Sequence, residues 1–327
     1  MPPVLKIILA IVLAGFGVIA ALPWLVQPLL RALLWTRYRI IVRGLENLPR
    51  DGPALIAANH VTWYDGFFLA ATCPRRGRAL VNGDYVRFPV IRQLTRWVGL
   101  IPVPFSGPRA QRAMIQACRD ALDRGEVVAI FPEGQLSRNG LTGTFHRGLE
   151  VILSGREHVP VVPVFLDNLW GSLLSYSGGR FLKKWPQGWR RTVVVVYGPP
   201  VPLPVTAFRV RQAVLEASVR AFEQRPVPVR PLETIDPSLP RLEHPALGPL
   251  TGSTADFDQG GVRHLGQRPG SVGRPLPGVA LRAVDEQGRP LPEDVVGRLH
   301  ALAAGHADWR DTGLRGSIDR DGFVRIE

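Results

Sequence analysis

Residues 54–66 read Ala54-Leu55-Ile56-Ala57-Ala58-Asn59-His60-Val61-Thr62-Trp63-Tyr64-Asp65-Gly66. The first five form an apolar run of strand length. The polar stretch that follows, leading into Phe67-Phe68-Leu69-Ala70, predicts a turn entering a helix. This order sets His60 at the mouth of a strand and Asp65 about one helical turn later. A carboxylate beside an imidazole fixes its tautomer and stabilises the imidazolium formed when the ring takes a proton. The stretch holds no serine or cysteine nucleophile, which leaves a substrate hydroxyl as one source of that proton.

Working outward, further apolar runs alternate with helical patterns. Tyr38–Arg43 alternates like a strand, and residues 98–103 form another. From Pro108, the residues Ala110, Ala113, Met114, Ala117, Ala121 and Leu122 recur at helical spacing up to Gly125. Residues 126–131 then read as a buried strand, 149–155 as a helix, 159–165 and 193–196 as strands, and 207–224 as an amphipathic helix. This alternation predicts an α/β fold with a mixed, largely parallel sheet flanked by helices. The strand at 126–131 ends in Phe131-Pro132-Glu133-Gly134-Gln135-Leu136-Ser137-Arg138. In such a sheet this turn falls at the carboxyl end, where ligands bind. Gly134 lets backbone amides approach an anion, and Arg138 and Arg147 have the fork geometry that grips phosphate.

The remaining segments set the boundaries. Residues 7–30 run for 24 positions without a charge, against the ~20 a bilayer-spanning helix needs. An N-terminal membrane helix is therefore expected at 1–34. The rivals are a cleaved signal peptide and a helix lying in one leaflet. Arg31, Arg37, Arg39 and Arg43 follow the run, which places the rest of the chain on the cytoplasmic face of the cell inner membrane. Seven prolines between 226 and 249 mark a linker at 225–250. Between 176 and 192, Tyr176, Phe181, Trp185 and Trp189 are interleaved with cations, a pattern suited to a membrane interface or to an ordinary basic loop.

The formal charge is +13, and 37 of the 40 basic residues are arginine. That balance suits anionic lipid, and no zinc-finger, helix-turn-helix or RNA-binding signature points to nucleic acid. Cys73 and Cys118 have no metal-ligand spacing, so no metal site is expected; they fit a reducing compartment or simple burial.

Asn59-His60 with Asp65 five residues on, a strand ending in Phe131-Pro132-Glu133-Gly134, and then Val161-Val162-Pro163-Val164 resemble the glycerophospholipid (1-acylglycerol-3-phosphate-type, lysophospholipid) acyltransferases over residues 35–224. Within that family the chain most resembles the acyltransferase half of 2-acylglycerophosphoethanolamine acyltransferase/acyl-carrier-protein synthetase fusions. The resemblance implies that His60 is the general base on a lysophospholipid hydroxyl, oriented by Asp65. The lysophospholipid would be lysophosphatidic acid or lysophosphatidylethanolamine. It implies that Glu133, Gly134, Ser137, Arg138, Arg147 and Pro163 bind substrate. It implies an acyl donor on acyl carrier protein or coenzyme A, a phospholipid membrane as partner, and no cofactor. Many relatives have Thr-Arg-Ser after Glu-Gly, where this chain has Gln135-Leu136-Ser137-Arg138.

Residues 251–327 carry a second resemblance. Gly270–Gly278, then Asp285–Pro292 and Asp321–Val324, look like the end of the large domain of adenylate-forming (AMP-binding) enzymes. Where that family reads Thr-Gly-Asp, this chain reads Thr312-Gly313-Leu314, and the phosphate loop is absent. The segment therefore reads as a degenerate relic that folds as a small β appendage or is partly disordered. The alternatives to an acyltransferase are an acyl-activating ligase fragment and a non-catalytic membrane adaptor.

Overall fold

The computed structural model describes Leu25 and residues 28–75, 77–82, 100–103, 107–179, 190–226, 232–259 and 262–327. Most of the expected membrane helix at 1–34, and most of the aromatic and basic stretch at 176–192, lie outside the described residues. Among the described residues no helix is long and apolar enough to cross a membrane.

Helical residues 28–37 lead directly into the first strand. The sheet is built from β1 (Tyr38–Arg43), β2 (Ala54–Ala58), β3 (Gly77–Asn82), β4 (Leu100–Val103), β5 (Val127–Ile130), β6 (Val161–Asp167) and β7 (Arg191–Tyr197). The helices that accompany it are α1 (Asp65–Thr72), α2 (Pro108–Asp123), α3 (Gly148–Leu153) and α4 (Ala207–Glu223). In space the strands run β1-β7-β6-β2-β5-β3-β4. Every neighbouring pair is parallel except β6 with β7. The sheet is thus mixed and largely parallel, flanked by helices.

β2 and β5 lie at its centre and are buried at every position. This is why they read as unbroken apolar runs rather than as alternations. Successive side chains go to opposite layers. Leu55, Ala57, Val128 and Ile130 pack with Cys118, Ala121 and Leu122 of α2 and with α3 and α4. Ala54, Ile56, Ala58, Val127 and Ala129 pack with Leu34, Phe68, Leu69 and Ala71 on the other side. Cys73 and Cys118 are both free and buried.

The linker, where described, and the β-rich C-terminal segment pack against the sheet domain. Residues 227–231 lie outside the described residues, but from Leu232 the chain is laid along the sheet domain. Thr234 Oγ1 donates to Asn139 O, and Asp236 N–H to Ser253 O at 2.9 Å. Residues 279–326 then form an antiparallel four-stranded meander of β8 (Val279–Val284), β9 (Gly297–Ala303), β10 (Arg310–Ile318) and β11 (Val324–Ile326).

The meander is docked on α4, which is why that amphipathic helix is buried around most of its circumference. Val210, Val214, Ala217 and Ala221 of α4 face the sheet, while Leu215 and Val219 meet Ala280 of β8. Phe208 joins Leu242, Leu250, Val279 and Leu281 in the meander's own core. At Gly278 (φ 83°) a Cβ would lie 2.5 Å from the Phe222 ring, so the contact needs glycine. Leu314, standing where adenylate-forming enzymes have aspartate, packs against this same core.

Candidate functional site

The parallel register β2–β5 sets Ala57 beside Ile130, so the loops after the two strands open on one sheet edge. His60 leaves the first and Glu133 the second. The two corners are bonded to each other: the His60 backbone N–H donates to Glu133 Oε1 at 2.8 Å. The Ser137 N–H returns a bond to His60 O at 2.7 Å.

His60 Nδ1 lies 2.9 Å from Asp65 Oδ2. Asp65 is fully buried, in the first turn of α1, where the helix end favours negative charge. Its Oδ2 also accepts from the backbone N–H groups of Val61 (2.6 Å) and Thr62 (2.9 Å), and its Oδ1 from the Thr62 hydroxyl (2.5 Å). With those donors already directed at the carboxylate, the proton of the His–Asp bond sits on Nδ1. The lone pair of the neutral ring is therefore on Nε2. Phe131 stacks on the imidazole, with centroids 4.0 Å apart at 13°. The His60 side chain remains 21% exposed, so the ring is oriented yet reachable. The loop itself is pinned by Asn59, whose side chain donates to Leu166 O and accepts from Leu166 N–H.

Glu133 is buried too, but its oxygens are taken by main chain: Oε1 by His60 N–H and Oε2 by Gly143 N–H at 2.8 Å. Burial pushes its carboxyl up to about 7, against the pull of those two amides, of His60 and of Arg211. Gly134 adopts φ 67° and lies against the His146 ring. Ser137 Oγ donates to Leu141 O and accepts from Gly140 N–H, closing the loop on itself. Arg138 lies over the Tyr176 ring, its Cζ 3.1 Å from the centroid. Glu133, Ser137 and Arg138, but not Gly134 or His60, border a cleft of about 400 Å³ whose opposite wall includes Phe257, His264, Arg274, Arg320 and Asp321.

Two of the residues implied by the resemblance stand apart. Arg147 does not line the cleft; it points outward, 59% exposed, with Glu293 3.8 Å away. Pro163 is buried within β6 opposite Ala57, packed against Gly198, inside the sheet rather than at its mouth. Sequence reasoning passed over Asn59, Thr62 and Phe131, and also Arg211. Fully buried in α4, Arg211 donates Nε to Gly143 O (2.9 Å) and Nη2 to Thr142 O (3.0 Å). A charged residue on the apolar face of a helical pattern was the signal that could have found it.

Residues 39–167 match the sequence model of the Acyltransferase family. The chain is 32% identical over 130 residues to the chloroplastic 1-acyl-sn-glycerol-3-phosphate acyltransferase LPAT1 of Arabidopsis thaliana, covering 39% of this chain and 36% of that protein. It is 27% identical to the 1-acyl-sn-glycerol-3-phosphate acyltransferase of Limnanthes douglasii, covering 57% of this chain and 67% of that protein. The crystal structure of the 1-acyl-sn-glycerophosphate acyltransferase PlsC from Thermotoga maritima is similar at 21% identity with a TM-score of 0.47, over 63% of this chain and 82% of that one. The chain spans well under half the length of several of the curated relatives it matches. Residues 39–167, the stretch that matches the Acyltransferase model, carry both corners of the site.

Proposed function

We propose that the protein transfers a fatty acyl group from a thioester, on acyl carrier protein or coenzyme A, to the free hydroxyl of a lysophospholipid. The observation that carries this reading is the His60–Asp65 pair, with Nδ1 engaged by a buried carboxylate and Nε2 left to accept a proton.

The acceptor hydroxyl gives its proton to His60 Nε2 as its oxygen attacks the thioester carbonyl. The tetrahedral intermediate collapses, the C–S bond breaks, and the imidazolium returns its proton to the departing thiolate. Asp65 stabilises the imidazolium through the Nδ1 bond. Glu133 acts as a strut that fixes the His60 main chain and the 142–143 turn, and Gly134, Ser137 and Arg138 shape the acceptor cleft.

Membrane association is part of the reading. Leu29, Leu33 and Trp35 expose apolar surface on helical residues 28–37, as do Trp63 and Phe67 beside the His60 corner. Arg31 Nε donates to Ala71 O at 2.5 Å, tying that helix to α1. Exposed apolar surface beside a lipid-handling site suits contact with a bilayer. Residues 251–327 are read as a relic of an adenylate-forming domain without adenylating activity, since Leu314, partly buried against its core, stands where that family has aspartate.

The test is acyl transfer by the full chain to lysophosphatidic acid and to lysophosphatidylethanolamine, with both thioester donors. Thiol release that depends on acceptor and matches the acylated product is expected. Thiol release at the same rate without acceptor would replace transfer by thioester hydrolysis, and no release with any pair would remove the enzyme reading.

A further inference from the structure

The cleft beside Glu133 has a wall that the acyltransferase motifs do not provide. Its buried member is Arg274, from the segment that resembles adenylate-forming enzymes. Arg274 is 7% exposed, with Cζ 4.1 Å from the centre of the Phe323 ring. Its Nε donates to Asp321 O at 2.9 Å, while its two terminal nitrogens have no acceptor among the described residues. A largely buried guanidinium that lines a cavity with its fork unused has donors free for an anion there.

Asp321, Asp319 and Glu133 lie near enough to favour its charge, yet none of them accepts a hydrogen bond from its terminal nitrogens, and Asp319 is taken by Arg268 and the Phe323 N–H. Asp321 gives Oδ1 to the Thr144 hydroxyl and Oδ2 to Arg268, and Glu133 is spent on two backbone amides. Arg211 adds a second buried cation behind Arg274, its guanidinium pressed so closely under Gly322 that a Cβ there would overlap it. At the rim, Arg320 is exposed and has no acceptor among the described residues, and Arg138 lines the same cleft from the loop after β5.

We propose that the C-terminal module completes the acceptor site. Arg274 and Arg320, with Arg138 opposite, bind the phosphomonoester dianion of the lysophospholipid headgroup at the seam between the two parts of the chain. Guanidinium forks suit such a group, because two parallel N–H donors meet two phosphate oxygens. Acyl transfer to lysophosphatidic acid rather than to a phosphodiester or uncharged acceptor would follow. The naming of the headgroup rests on the acyltransferase reading above; the anion site itself does not.

The test has two arms on the full chain. In the first, the thermal midpoint is measured with glycerol 3-phosphate and with inorganic phosphate. Glycerol 3-phosphate should raise it, and Arg320→Ala, an exposed change that leaves the core intact, should abolish the rise along with Arg274→Gln. In the second, Arg320→Ala should raise KM for lysophosphatidic acid about tenfold, as for the loss of one charge-assisted hydrogen bond, with kcat within twofold. KM for a monoacylglycerol lacking phosphate should not move. A wild-type midpoint indifferent to glycerol 3-phosphate would overturn the site. So would equal tenfold losses for both acceptors. Stabilisation by inorganic phosphate with an unchanged lysophosphatidic acid KM would mark a free-phosphate site and overturn the headgroup assignment. Absence of transfer to any acceptor by wild type would count against the proposed activity, and the thermal arm would then decide the anion site by itself.

Discussion

Asp65 and Glu133 are both buried carboxylates bonded to His60, and they are treated in opposite ways. Asp65 holds the imidazole and gathers two amides and a hydroxyl within a single tight turn at a helix start. Glu133 holds only the His60 main chain and reaches across to the Gly143 amide, with burial pushing its carboxyl up to about 7. One acid sits against the imidazole at a helix start, among donors that suit a carboxylate. The other spans two loops and keeps them at a fixed distance. Two acids with the same motif-level prominence therefore hold different things: one the imidazole ring, the other the frame around it.

The comparison breaks most visibly at Asp65. Asp65→Asn keeps the volume but reverses the bond to Nδ1, and kcat should fall about 10²- to 10⁴-fold, as expected when a base is held in the wrong tautomer. Steady-state kinetics with KM followed separately would check this; a loss confined to KM would make Asp65 a binding residue.

Glu133→Gln should act on stability instead. With the native carboxyl near 7 and its ordinary value at 4.5, the folded state between those pH values keeps a proton that the unfolded chain has released. Stability therefore falls as pH rises through that window, by at most about 1.4 kcal/mol per pH unit, and levels off above it. Urea unfolding at several pH values should show this slope in the wild type and a shallower one in Glu133→Gln. Equal slopes would mean that Glu133 titrates like an exposed acid.

The smallest effect is expected at Arg147. It is exposed and distantly paired with Glu293, so Arg147→Ala should change stability by less than ~1 kcal/mol. It should leave KM for lysophosphatidic acid within twofold. A tenfold rise would return it to the acceptor site.

The central strands were legible because burial on both faces leaves an unbroken apolar run, as in Ala54–Ala58 and Val127–Ile130. β3 was missed because Gly77, Arg78 and Asn82 interrupt its run near the open edge of the sheet. His60 and Asp65 were legible since their contact is local, five residues apart. The Phe131 stack and the Arg211 bonds to the 142–143 turn were not, because each joins segments far apart in the chain and is decided by packing. The C-terminal segment was the furthest from view. Its register with α4 depends on Leu215, Val219, Phe222 and Gly278 meeting across the seam, and no periodicity within either segment encodes that meeting.

The account rests on an imidazole that takes the acceptor's proton. The most direct measurement is the acyl-transfer rate of His60→Ala at saturating acceptor and donor, with thermal unfolding to confirm the fold. A loss of about 10²-fold or more is predicted. Transfer within a few-fold of wild type by a folded His60→Ala protein would contradict it.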